Sequence, residues 1–149
     1  MKKEYTWTDM MEIMQDIRLF SSLHIRRPKK EGITSAQEMD LLSRIVFANV
    51  PLTPQELTIQ MGLCKSAVSR LIDHLEKKGF LTKQQSASDR RSYVLLITDK
   101  GRDELDQTYR YYLAPVYHLK DTLGEEAFFA LTNQIRSANI LLQEKNRRF

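Results

Sequence analysis

Thr53-Pro54-Gln55-Glu56-Leu57-Thr58-Ile59-Gln60-Met61-Gly62-Leu63-Cys64-Lys65-Ser66-Ala67-Val68-Ser69-Arg70-Leu71-Ile72 carries two helix signals separated by a single glycine turn. Thr53 has the hydroxyl of an N-cap, Pro54 suits the first helical position because its missing N–H is not needed there, and Glu56 is spaced to reach back to the cap. Gly62 supplies the positive φ that stops a helix abruptly, and Leu63-Cys64 leads at once into a second helix running from about Lys65 to Lys78, closed by Gly79. Two helices joined by a tight glycine-containing turn form a helix-turn-helix pattern. In the second helix Val68, Leu71, Ile72 and Leu75 fall at i, i+3, i+4 and i+7, so one face packs inward. The opposite face carries Lys65, Ser66, Ser69, Arg70 and Asp73. An ordinary amphipathic surface helix divides its faces in the same way, so this pattern needs support from its surroundings.

That support lies downstream. After Gly79 the period changes from helical to extended, and Phe80 to Gln85 and Ser92 to Thr98 read as two strands, the second rich in Tyr, Val, Leu and Ile. The polar loop Ser86-Ala87-Ser88-Asp89-Arg90-Arg91 between them makes a β-hairpin, or wing, with cations at its tip. Upstream, the apolar residues Met10, Ile13, Met14, Ile17, Phe20 and Leu23 recur at helical spacing between Thr8 and Arg27 until Pro28 ends the pattern. A further helix is capped by Thr34 or Ser35, with Gln37 or Glu38 completing a capping box, and stops near Asn49-Val50-Pro51. Beyond Thr98 the helical pattern resumes through Leu105, Tyr109 and Tyr112 towards Pro115 and Tyr117, and a last helix runs from about Glu125 through Phe128, Ile135 and Leu142. The fold class is therefore mainly α with a small β-hairpin wing: a winged helix-turn-helix lobe over about 35–100, flanked by helices at about 5–28 and 101–147. The flanking helices carry more apolar surface than a lone lobe of this size covers, which predicts dimerisation through them.

The 149 residues suit one domain, with 42% hydrophobic and 28% charged residues typical of a globular chain. No apolar run reaches membrane length, and Met1-Lys2-Lys3-Glu4-Tyr5 leads into Trp7-Thr8-Asp9 instead of a secretory signal, so the cytoplasm is expected. The single cysteine excludes an internal disulfide or a cysteine-clustered zinc site. The net charge of +4 has an uneven origin: from Lys65 to Arg91 seven bases face three acids, which leaves 16 of each sign elsewhere. The middle of the chain thus carries the whole excess, as an anionic partner would require.

The runs Pro54-Gln55-Glu56-Leu57, Met61-Gly62-Leu63, Lys65-Ser66-Ala67-Val68-Ser69-Arg70-Leu71, Leu75-Glu76-Lys77-Lys78-Gly79, Asp89-Arg90-Arg91 and Ile97-Thr98-Asp99-Lys100-Gly101 resemble the MarR family of bacterial and archaeal transcription regulators. The resemblance covers Thr53 to Gly101 in order and at fixed spacing; the flanking helices match in length and pattern only. It implies a homodimer whose first and last helices pack across a two-fold axis, with two winged lobes on a pseudopalindromic stretch of double-stranded DNA and repression as the expected outcome. It also implies DNA-contacting roles for Lys65, Ser66, Ser69, Arg70, Arg90 and Arg91, with Asp89 orienting the wing arginine Arg91, as a bidentate pair at that spacing would allow. Two positions depart from the family pattern: Cys64, where a serine or threonine cap is usual, and Thr58, where a small alanine is usual.

Cys64 at a helix start suggests a thiol-based sensor, but regulators of this kind carry the sensing cysteine in the first helix, and a buried structural thiol is the expectation here. His24, His74 and His118 are scattered without metal-ligand spacing, and no phosphate-binding glycine loop or nucleophile–base pair is present, so neither a metal cofactor nor catalysis is expected. Trp7, Phe20, His24, Tyr109 and Tyr112 fit either packing at the dimer core or the lining of a pocket for a small aromatic or anionic effector, which the resemblance implies. A winged-helix module that binds protein in place of DNA stays open as the alternative.

Overall fold

The computed structural model describes residues 4–25, 34–89 and 91–146. The chain divides into two units, Met1–Ile33 and Thr34–Phe149. In the first, helix α1 spans Trp7–Ile25. Thr6 and Asp9 start it reciprocally: the Thr6 backbone N–H donates to Asp9 Oδ2 at 2.8 Å, and the Asp9 N–H donates to Thr6 Oγ1 at 3.3 Å. The apolar stripe expected here is present, and it is exposed: Met10, Ile13, Met14, Ile17 and Phe20 all present surface to solvent in the single chain.

The second unit opens with α2, Ala36–Phe47, whose N-cap Ser35 accepts from the N–H of Glu38 while the Glu38 carboxylate accepts from the Ser35 N–H at 3.0 Å. Helix α3, Pro54–Met61, repeats the device with Thr53 and Glu56. Gly62, at φ 64°, turns the chain into α4, Lys65–Lys77. The α3 departure Thr58 is accommodated locally, since its hydroxyl donates to the Pro54 carbonyl at 2.9 Å.

Strands β1, Leu81–Gln85, and β2, Tyr93–Ile97, pair antiparallel with Leu81 opposite Ile97 and Gln85 opposite Tyr93. The hairpin is where the strand-like alternation placed it. One pairing had no sequence signal: the lone residue Leu52 bridges Leu95, whose N–H donates to the Leu52 carbonyl at 2.9 Å, tying the α2–α3 connection to the sheet. Helix α5, Asp99–Leu123, is capped by Thr98 and carries Pro115 inside it, so the helical pattern read towards Pro115 and Tyr117 continues to Leu123. A proline removes one backbone donor, and a helix with enough turns on both sides survives that loss. Gly124 ends α5 and α6 follows over Glu125–Asn146.

The core of this unit gathers Leu41 and Leu42 from α2, Leu57 from α3, Val68, Ile72 and Leu75 from α4, and Leu81 and Leu95 from the hairpin. Each is 0–1% exposed, so each contributes about 1.5–3 kcal/mol of hydrophobic stabilisation. The base of the hairpin is closed by backbone contact with α5 at Gly101, where a Cβ would press into the Phe80 carbonyl oxygen and the Ile97 side chain. A backbone carbonyl cannot step aside as a flexible side chain can. Gly101→Ala is therefore expected to cost more than about 2 kcal/mol in urea unfolding, the scale of a forced overpacking.

Candidate nucleic-acid interface

Helix α4 turns Val68, Ile72 and Leu75 inward, and this fixes what it turns outward. Lys65, Ser66, Arg70, Asp73, His74 and Lys77 are exposed, and Ser69 is half-buried. Leu71, expected in the core stripe, is only partly buried; it lines a surface concavity of about 470 Å³ with Gln37, Ala67, Arg70, Asp73 and His74. Gln37 entered the sequence argument only as a candidate cap residue. The packing of α2 beside α4 is what brings it to the same surface as Arg70.

At the wing tip, Asp89 organises the turn by its backbone and side chain together. Its Oδ1 accepts the Arg91 backbone N–H at 2.9 Å, and its carbonyl accepts the Ser92 N–H at 3.2 Å. The expected bidentate pair between Asp89 and the Arg91 guanidinium is not formed; Asp89 holds the arginine through its main chain, as a short acidic side chain in a turn readily does. The Arg91 side chain is exposed. Arg90 lies outside the described residues.

The position of α4 is secured by a buried carboxylate. Glu38, 3% exposed, receives Lys78 Nζ at 2.9 Å on one oxygen and faces His74 Nδ1 at 3.3 Å with the other, joining the start of α2 to the end of α4. Burial opposes its ionisation, but the hydrogen bonds from Lys78, the Ser35 backbone and His74 outweigh that, and the carboxyl sits below the usual glutamate range. Lys83 Nζ, on β1, meets Asp73 Oδ1 at 3.0 Å and Glu76 Oε1 at 3.5 Å on α4. Lys100 Nζ donates to the Lys78 carbonyl at 2.8 Å and Thr98 Oγ1 to the Gly79 carbonyl at 2.6 Å, stitching the α4–β1 turn to the start of α5. The basic segment is therefore of two kinds: Lys78 and Lys83 are engaged within the protein, whereas among the described residues Lys65, Arg70, Lys77 and Arg91 enter no ion pair.

Cys64 corrects an expectation. It is exposed, not buried, because the N-cap position faces out from the end of the helix. Its Sγ makes no capping bond to the first turn and lies 3.3 Å from Ser66 Oγ, a contact that holds the thiol below its ordinary pKa. Trp7 and Phe20 lie on α1 and are exposed; Tyr109 is exposed and Tyr112 half-buried on α5, and the side chain of His24 lies outside the described residues. Tyr112 is raised above the usual tyrosine range by burial. Among the described residues no group of three histidine, cysteine, aspartate or glutamate side chains is placed to hold a metal ion, and no helix is long and apolar enough to cross a membrane.

A helix-turn-helix with its outer face polar, followed by a two-stranded hairpin with a cationic tip, defines a winged helix-turn-helix protein. The MarR family model matches residues 35–93. An HTH-type transcriptional regulator from Bacillus subtilis, YkoM, is 30% identical over 130 residues, covering 86% of this chain and 79% of that protein. The chain belongs to the MarR family of transcriptional regulators. The transcriptional repressor MprA of Escherichia coli is 32% identical over 77 residues, 52% of this chain and 44% of that one. The fold matches that of Sco3205, a MarR family transcriptional regulator from Streptomyces coelicolor solved in complex with DNA, with a TM-score of 0.76 and 20% identity over 93% of this chain and 89% of that one.

Two measurements follow from this geometry. Because the Glu38 carboxyl titrates below its unfolded value, its contribution is complete above about pH 4.3, the ordinary glutamate pKa, and is lost as pH falls through the lower folded value. Glu38→Gln should lose about 1–3 kcal/mol at neutral pH, and the gap to wild type should close in acid; a gap constant down to pH 3 would show that the ion pairs are not its source. Cys64→Ser supplies the missing cap on α4 and should raise stability by about 1 kcal/mol in thermal unfolding.

Proposed function

We propose that this chain regulates transcription in the cytoplasm as a homodimer that binds a pseudopalindromic operator sequence-specifically, and that it acts as a repressor. The observation that carries the proposal is the set of cations that enter no ion pair among the described residues, Lys65, Arg70 and Lys77 of α4 and Arg91 at the wing tip, beside Lys78 and Lys83, which are tied down within the protein. Arg70, Ser66 and Ser69 are of types that hydrogen-bond base edges in the major groove, and Arg91 suits the narrow, strongly negative minor groove beside it. Dimerisation is supported by the apolar surface of α1 and by Phe129, Ile140, Leu141 and Leu142 of α6, which are 50–66% exposed in the single chain. Repression is supported by the likeness to MprA. Release by a small aromatic or anionic effector completes the proposal and is supported by the family resemblance alone.

Binding titrations against salt, on a duplex selected by the wild-type protein from a random pool and on its scrambled counterpart, test the assignment. Arg70→Ala should cost about 1–3 kcal/mol on the selected duplex and noticeably less on the scrambled one. Arg91→Ala should weaken both and make the salt dependence shallower. Arg91→Ala binding as tightly as wild type would remove the wing from the interface, and light scattering that shows a folded monomer at micromolar concentration would remove the dimer.

A further inference from the structure

Lys83 lies in the basic segment, and a count of charge assigns it to the anionic partner; its surroundings assign it elsewhere. In the register of the hairpin Lys83 stands directly opposite Leu95, which is fully buried, so both side chains leave the same face of the sheet, the face towards α4. The lysine stem follows that face outward and delivers the ammonium to two carboxylates one helical turn apart, Asp73 at 3.0 Å and Glu76 at 3.5 Å, with the Tyr93 ring 5.3 Å away on β2. The side chain is 30% exposed, less than either acid. The Asp73 hydrogen bond, the largest influence on it, holds the ammonium above the ordinary lysine range, so it stays charged wherever the acids are ionised.

We propose that Lys83 is a positioning residue for DNA recognition: it locks β1 of the wing to α4, so that the outer face of that helix and the wing tip meet the duplex at one fixed spacing. A two-stranded hairpin has little stability of its own; burial of Leu81 and Leu95 seats its base against α4, and without the brace the part beyond that base would vary in its distance from the helix. Bridging the two elements removes that freedom before binding, which preserves affinity that ordering would otherwise consume. Because the ammonium is already neutralised within the protein, it displaces few counterions from DNA. The inference rests on the DNA-binding function proposed above.

Two alterations separate bracing from phosphate contact. Asp73→Asn with Glu76→Gln removes two negative charges from the DNA-facing helix and frees Lys83. Simple electrostatics then predicts tighter binding to the selected duplex, whereas loss of the brace predicts binding weaker by roughly tenfold. Lys83→Met keeps the stem, and should weaken binding by a similar factor with the slope of log K against log salt unchanged; Lys83→Arg should restore affinity. In an Arg91→Ala background the Lys83→Met loss should vanish, since no wing contact is left to place. Unchanged thermal melting of each variant shows that the lobe itself is intact. Tighter binding by the Asn/Gln variant, a slope reduced by about 0.9 in Lys83→Met, or multiplicative losses in the double variant would overturn the proposal and make Lys83 a phosphate contact. If the wild-type protein selects no duplex at all, the DNA-binding function fails first and is identified as the failure.

Discussion

Burial of Val68, Ile72 and Leu75 against the leucines of α2, α3 and the hairpin is the constraint on which the rest of the lobe depends. A helix of 13 residues has only one stripe wide enough to satisfy such a core, and once that stripe is inside, Lys65, Ser66 and Arg70 have no other direction than outward. The core therefore orients the surface chemistry. Leu81 and Leu95 belong to the same cluster, so the hydrophobic effect that seats α4 also seats the wing beside it.

Hydrophobic burial has no direction and does not set an angle or a spacing by itself. That refinement comes from polar bonds at the margin of the core. Glu38 joins α2 to the end of α4, Lys83 joins the last turns of α4 to β1, and Lys100 and Thr98 hold the α4–β1 turn. Each bond is modest alone, on the order of 1 kcal/mol. Together they spend basic side chains on geometry and leave a smaller, chemically distinct set for an anionic partner, which is why net charge alone misjudges such a surface.

Helix starts, the glycine turn and the hairpin were legible in the residues because each is decided within a few positions of chain. Ser35 with Glu38 and Thr53 with Glu56 both form reciprocal caps, and Gly62 takes the left-handed conformation that ends α3. The outer face of α4 followed from the apolar period of its inner one. Periodicity carried no information on one pairing: Leu52 pairs with Leu95 as a single residue, too short to show any alternation.

Which segments are helices, where they are capped, that a hairpin follows the second helix of the turn, and which polar types share the face of α4 can all be read from the residues in order. These follow from backbone sterics and from side-chain period, both local. Which charges are available depends on packing between distant elements. Lys78 and Glu38 are 40 residues apart in the chain and Lys83 and Asp73 are 10 apart, and no local rule states that they meet. Exposure of Cys64, the backbone grip of Asp89 on Arg91 and the arrival of Gln37 beside Arg70 were settled in the same way, by where packed elements bring their ends, since distance through space is set by the core and not by separation along the chain.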